Sequence, residues 1–207
     1  MIEVDGELSE RFPGIHLAER VIEVEVKPSS NLERYVEEVR SQIGYTLENL
    51  KDHPVARAFR DFYWRIGVDP TKRRPSGEAL ARRILSGGAL PRINNLVDAG
   101  NLASARTLIP IGIYDLGRVS GRLVLRFAKD GEVFEDFRGD RKTLTRRDIV
   151  LSDEQGPIHI FPYRDSKRTM ITAETRKALI VGCGVPGVPR EKTEEACDLV
   201  IHYLKLL

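Results

Sequence analysis

The hydrophobic period of this chain changes near its middle, and that change restricts the folds open to it. Between residues 32 and 85, apolar side chains recur at helical spacing: Leu32, Tyr35, Val36, Val39 and Ile43, then Val55, Phe59, Phe62 and Ile66, then Leu80, Ile84 and Leu85. Beyond residue 110 the runs shorten to strand length, at 111–116, 122–128, 132–137, 149–151, 158–161 and 179–181, and Lys129-Asp130-Gly131 reads as a hairpin turn between the second and third. An early strand is expected over 21–26, where Val-Ile-Glu-Val-Glu-Val alternates, and helical spacing returns over 191–206 with Ala196, Leu199, Val200 and Tyr203 inward. Helices first, strands next and a helix last predict an α+β fold, with helices covering a largely antiparallel sheet or sandwich. A chain of 207 residues suits a single domain over 1–207 that buries about 70% of its unfolded surface without staples.

Boundary residues refine the helices. Ser30-Asn31-Leu32-Glu33 has the form of a capping box for a helix reaching Leu50, Pro54 suits a first helical position, and Ser76 is a candidate N-cap for a helix that stops at Gly87-Gly88. A further helix over Ile93 to Ala105 places Asn94, Asp98 and Asn101 at i, i+4 and i+7, on one face. Three small polar residues of poor helix propensity so aligned either bond neighbouring loops or line a polar pocket, and Gly100 beside them permits close approach of a ligand or backbone.

Charge is the other signal. The 33 basic and 31 acidic side chains nearly cancel, but residues 1–50 hold 5 basic and 11 acidic groups, whereas 51–92 hold 10 and 4. That basic block, which includes Lys72, Arg73, Arg74, Arg82 and Arg83, either tracks a phosphate backbone or forms solvent-facing and ion-paired helix surfaces. Arg164 and Arg168, after a predicted strand, are an anion contact or an exposed charged turn.

Several function classes fall away. Cys183 and Cys197 have neither disulfide-framework nor zinc spacing, the four histidines are scattered, Ser104 and Ser166 lack a histidine at motif spacing, and Gly112, Gly117 and Gly121 form no phosphate-binding loop. An acidic start and the lack of a roughly 20-residue apolar run point to a soluble cytoplasmic protein without membrane association, metal or cofactor.

The ordered series Ile93-Asn94-Asn95-Leu96-Val97-Asp98-Ala99-Gly100-Asn101-Leu102 and Pro110-Ile111-Gly112-Ile113-Tyr114-Asp115-Leu116 resembles the B3/B4 domain of the phenylalanyl-tRNA synthetase beta subunit. It is still more similar to free-standing B3/B4-domain proteins, on His53-Pro54, Gly67-Val68-Asp69-Pro70, Arg74-Pro75-Ser76, Pro110-Ile111-Gly112 and Arg168-Thr169. The resemblance is strongest over 51–190. It implies a three-layer fold with a mixed β-sandwich of unusual topology and packed helices, and kinship with a site that hydrolyses mischarged tRNA as a second sieve. Carried over by position, Asn94, Asp98, Asn101 and Asp115 are the implied catalytic set. Gly100, Ser104, Gly112, Arg164 and Arg168 are the implied ligand contacts, with Gly100 at the family's threonine and Gly112 at its histidine. The implied partner is a tRNA or aminoacyl-tRNA, contacted by the basic block; the alternative is a module that binds tRNA or a free amino acid without chemistry. The synthetase's aminoacylation module is not expected in this chain.

Overall fold

The computed structural model describes residues 2–207. Its elements are β1 (Glu3–Val4), α1 (Gly6–Arg11), β2 (His16–Glu23), α2 (Leu32–Gln42), α3 (Pro54–Arg65), α4 (Ser76–Leu85), α5 (Asn95–Thr107), β3 (Ile111–Asp115), β4 (Val124–Phe127), β5 (Val133–Glu135), β6 (Arg141–Thr143), β7 (Ile149–Asp153), β8 (Gly156–Ile160), β9 (Arg164–Asp165), β10 (Lys177–Gly184) and α6 (Arg190–Leu204). Three sheets result: β2-β10-β3, fully antiparallel; β1-β4-β7-β8-β9, in which β1 pairs with β4 in parallel; and the small pair β5-β6.

Strand β10 joins the layers. After exposed Lys177, its next seven residues are all buried. Ala178 and Ile180 point to a core shared with Val36, Val39, Leu96, Leu102, Val200 and Tyr203, so α2, α5 and α6 cover that face. Leu179, Val181 and Cys183 point the other way, into a core with Phe59, Phe62 and Tyr63 of α3 and Leu125, Leu151 and Ile158 of the five-stranded sheet. Alternate side chains of a strand face opposite sides, so a strand buried on both loses its polar positions and reads as a continuous apolar run. The stack of helices, small sheet and larger sheet is the α+β arrangement with mixed sheets that the change of period and the family resemblance lead one to expect.

Helix α3 shows how local sequence fixes an element that carries the site. Pro54 opens it, the His53 Nδ1 accepts from the Val55 amide at 3.0 Å, and Gly67 at φ +77 turns the chain away after the last turn. Its apolar stripe buries Val55, Phe59, Phe62 and Tyr63, each contributing about 1.5–3 kcal/mol.

Several local expectations are corrected. The hairpin through Lys129-Asp130-Gly131 does not form: β4 pairs with β1 and β7, and β5 pairs with β6. The capping box is absent, because Asn31 rather than Ser30 precedes α2, in a left-handed conformation without a side-chain cap, and the Ser30 hydroxyl donates to the Leu207 carbonyl at 2.7 Å. Helix α2 ends at Gln42, well short of Leu50, and the early strand runs over His16–Glu23 because its register is set by β10. Pro75 occupies the position before α4, with Ser76 already helical. No helix among the described residues is long and apolar enough to cross a membrane.

Candidate functional site

The polar start of α5 binds backbone. The helix begins at Asn95, so Asn94 is its N-cap and accepts from the Val97 amide at 2.9 Å. Asn95 accepts from the Lys27 amide at 3.1 Å and donates to the Glu25 carbonyl at 3.0 Å. Asp98, buried, accepts from the Ser29 hydroxyl at 2.5 Å and the Ile93 amide at 3.0 Å, and burial pushes its carboxyl above the ordinary range. Asn95 and Asp98 together clamp the extended segment before α2 onto the helix start. Half-buried Asn101 makes no side-chain hydrogen bond among the described residues. Ser104 donates to the Ile109 carbonyl at 2.7 Å, closing the turn after α5. Gly100 packs the helix against β3: a methyl group there would stand 2.6 Å from the Ile113 Cδ1.

Other predicted residues also hold the fold. Asp115 accepts from the Gly117 amide at 2.9 Å and the Thr175 hydroxyl at 2.8 Å. Arg168 forks onto buried Asp153 at 2.7 and 2.9 Å; burial raises that carboxyl, but the fork and the Ser120 and Gln155 amides outweigh it and hold the group below the usual range. Arg164 pairs with buried Asp136. In the basic block, Arg82 joins Arg60 on the fully buried Glu78, and Arg83 donates to the Ala89 carbonyl. The loop tip of Lys72, Arg73 and Arg74 stays exposed without a carboxylate partner among the described residues, as do Arg65 and Arg83.

The structure gathers a second set of groups that spacing could not reveal. His159 of β8 lies opposite Asp165 of β9, and its Nδ1 stands 2.8 Å from the Asp165 carboxylate. The Nε2 is buried with no hydrogen-bond partner among the described residues. In the neutral tautomer whose Nδ1 proton faces the carboxylate, Nε2 presents a lone pair. The Tyr114 ring meets the His159 ring edge-on at 6.2 Å. The Tyr114 hydroxyl lies over Gly112, in the space where a side chain at 112 would begin, and is buried close to the Asp165 carboxylate without forming a well-aligned hydrogen bond, whereas the Tyr63 hydroxyl is buried with no partner among the described residues. Burial pushes both phenols up, so each remains a donor, and it pushes the intervening Cys183 thiol up as well, so that sulfur is a poor nucleophile. The half-exposed Asp165 marks the edge where this cluster meets solvent. The exposed loop tip lies nearby, since Arg73 sits 4.7 Å over the Tyr163 ring, which in turn neighbours the Tyr63 ring at 6.0 Å.

The histidine beside its carboxylate, the two buried phenols and the adjoining cationic loop sit together on the α+β framework. The family model of the B3/4 domain matches residues 58–207, well over half of the chain, which therefore belongs to the B3/4 domain family. Similar curated proteins include the phenylalanine–tRNA ligase beta subunit of Rhodopseudomonas palustris, 34% identical over 113 residues, covering 55% of this chain and 14% of the relative. That of Shouchella clausii is 23% identical over 154 residues, covering 74% and 18%. The chain thus spans less than a fifth of the length of these relatives. Among solved structures, an N-terminal fragment of the phenylalanyl-tRNA synthetase beta subunit from Pyrococcus horikoshii shares the fold, with a TM-score of 0.52 and 14% identity over 99% of this chain and 48% of that one.

Proposed function

We propose that this B3/4 module hydrolyses the ester of a mischarged aminoacyl-tRNA. The observation that carries the reading is the buried His159, oriented through Nδ1 by Asp165 and free at Nε2. The tRNA end enters at the Asp165 edge, with Lys72, Arg73 and Arg74 on its phosphates. The His159 Nε2 takes a proton from water as the water oxygen attacks the ester carbonyl. The Tyr63 and Tyr114 hydroxyls donate to the developing oxyanion, and the carbon–oxygen bond to the ribose breaks. The ribose oxygen then takes the proton from His159, leaving a free amino acid and a tRNA with its hydroxyl restored. Asn101, half-buried and without a bonding partner of its own, is a further candidate for contacting the aminoacyl group.

Release of amino acid from a panel of mischarged tRNAs tests the reading. His159→Gln is expected to slow it by roughly 10²–10⁴-fold, the range of a lost general base. Absence of wild-type acceleration over buffer across the panel refutes it. A second reading, binding of tRNA or a free amino acid without chemistry, is favoured by the close fill of the cluster, where the Tyr114 hydroxyl occupies the space over Gly112. Tight, salt-sensitive tRNA binding with no deacylation selects that reading.

A further inference from the structure

At the C-terminal end of α3 lies a groove of about 740 Å³. Its walls come from the end of α1, the end of α3 and the loop between β6 and β7, which contribute Arg11, Arg65, Arg146 and Arg147 around an exposed indole, Trp64. Trp64 is 57% exposed, although its neighbours on the helix, Phe62 and Tyr63, are fully packed. The core therefore does not require it.

The four guanidiniums are unlike the ion-paired arginines of this chain. Arg20, Arg60, Arg82, Arg126 and Arg168 each hold a carboxylate, whereas none of the four in the groove does so among the described residues, even with Glu7 and Glu10 in the same wall. Arg65 lies over the Phe12 ring at 4.9 Å, which fixes its position while leaving its donors free. Unpaired planar cations around an exposed indole match a ligand that alternates anionic groups with flat aromatic ones.

We propose that this groove binds single-stranded RNA, stacking a base on Trp64 and holding backbone phosphates on Arg65, Arg146 and Arg147. The choice of RNA over other polyanions rests on the tRNA-directed reading above, but the groove needs no hydrolysis and is tested without it.

Trp64 is the one tryptophan in the chain, so its own fluorescence reports the contact. Titration with a single-stranded oligoribonucleotide that carries no amino acid is expected to quench it. Affinity should fall with salt at a logarithmic slope of about 0.7 per phosphate engaged, and the exposed pair Arg146→Ala and Arg147→Ala should lower that slope by about 1.4. With a dye-labelled oligonucleotide read by anisotropy, Trp64→Leu is expected to weaken binding roughly 5- to 150-fold, the range for losing one stacked base. Unchanged melting temperatures would show that these exposed positions leave the fold intact. No quenching, unchanged affinity of Trp64→Leu, or equal quenching by polyglutamate overturns the proposal. Binding without deacylation leaves the groove standing and removes the hydrolytic reading; deacylation without oligonucleotide binding does the reverse.

Discussion

Asp98 distinguishes a catalytic carboxylate from a structural one. Its two oxygens hold the Ser29 hydroxyl at 2.5 Å and the Ile93 amide at 3.0 Å, tying the segment before α2 and the residues just ahead of α5 to the first turn of that helix. Hydrogen bonds to a charged group contribute about 1.5–3 kcal/mol each. Burial raises the carboxyl in the folded state, so ionisation costs part of that gain. We expect Asp98→Ala to lose about 2–4 kcal/mol and, at about 2–4 °C per kcal/mol for a chain of this size, to melt roughly 4–16 °C below wild type. Asp98→Asn keeps an acceptor for Ile93 and a polar contact for Ser29, and should stay within about 1 kcal/mol. The pH dependence has a definite sign. A folded value above the unfolded one disfavours the native state once the group ionises, so the Asp98→Asn variant should gain on wild type as pH rises through the folded pKa and lose that gain on return to acid. Thermal unfolding of the three proteins, with deacylation measured alongside, decides the point. If Asp98→Ala melts with wild type yet loses deacylation, or if Asp98→Asn abolishes activity with stability intact, the structural assignment is wrong.

Glu78, fully buried, pairs with both Arg60 and Arg82 of the basic block. Glu78→Ala should cost about 3–5 kcal/mol by stranding two half-buried guanidiniums. Burial raises this carboxyl but the two arginines outweigh it and lower the folded value, so the stability it adds is present above about pH 4 and lost as pH falls through that lower value, which urea unfolding against pH would show. Gly112→Ala places a methyl group on the Tyr114 hydroxyl and should destabilise by about 1–3 kcal/mol, an effect that Tyr114→Ala relieves in the double variant. Gly100→Ala meets only the flexible end of Ile113, and chemical denaturation should find it within about 1 kcal/mol of wild type. Asp165→Asn should lower deacylation by roughly 10-fold or more while leaving the melting temperature within a few degrees, because it releases the His159 tautomer without opening the core.

The helices were readable because their stripes are local. Phe59, Phe62 and Ile66 predict which face of α3 turns inward, and Pro54 with Gly67 marks its limits. The strands were readable as strands but not as partners. Lys129-Asp130-Gly131 has the composition of a hairpin, yet β4 finds better burial between β1 and β7, and β5 closes with β6 instead. The capping box failed for a similar reason, since the Ser30 hydroxyl reaches the Leu207 carbonyl, a group almost the whole chain away.

The sequence by itself determined the α+β class, through a change of hydrophobic period, and the family, through an ordered series of residues around α5 and β3. It also showed which polar residues were unusual, but not what they face. Asn94 and Ser104 bond backbone at the two ends of α5 itself, whereas Asn95 and Asp98 hold the segment before α2 that the tertiary structure brings beside the helix, and nothing in their spacing separates either role from lining a pocket. Only the folded chain brings together Tyr63, Tyr114, His159, Asp165 and Cys183, from five separate elements. Hydrophobic periodicity reports whether a side chain turns inward; which inward side chains meet is set by sheet register and layer packing, and those are properties of the whole core.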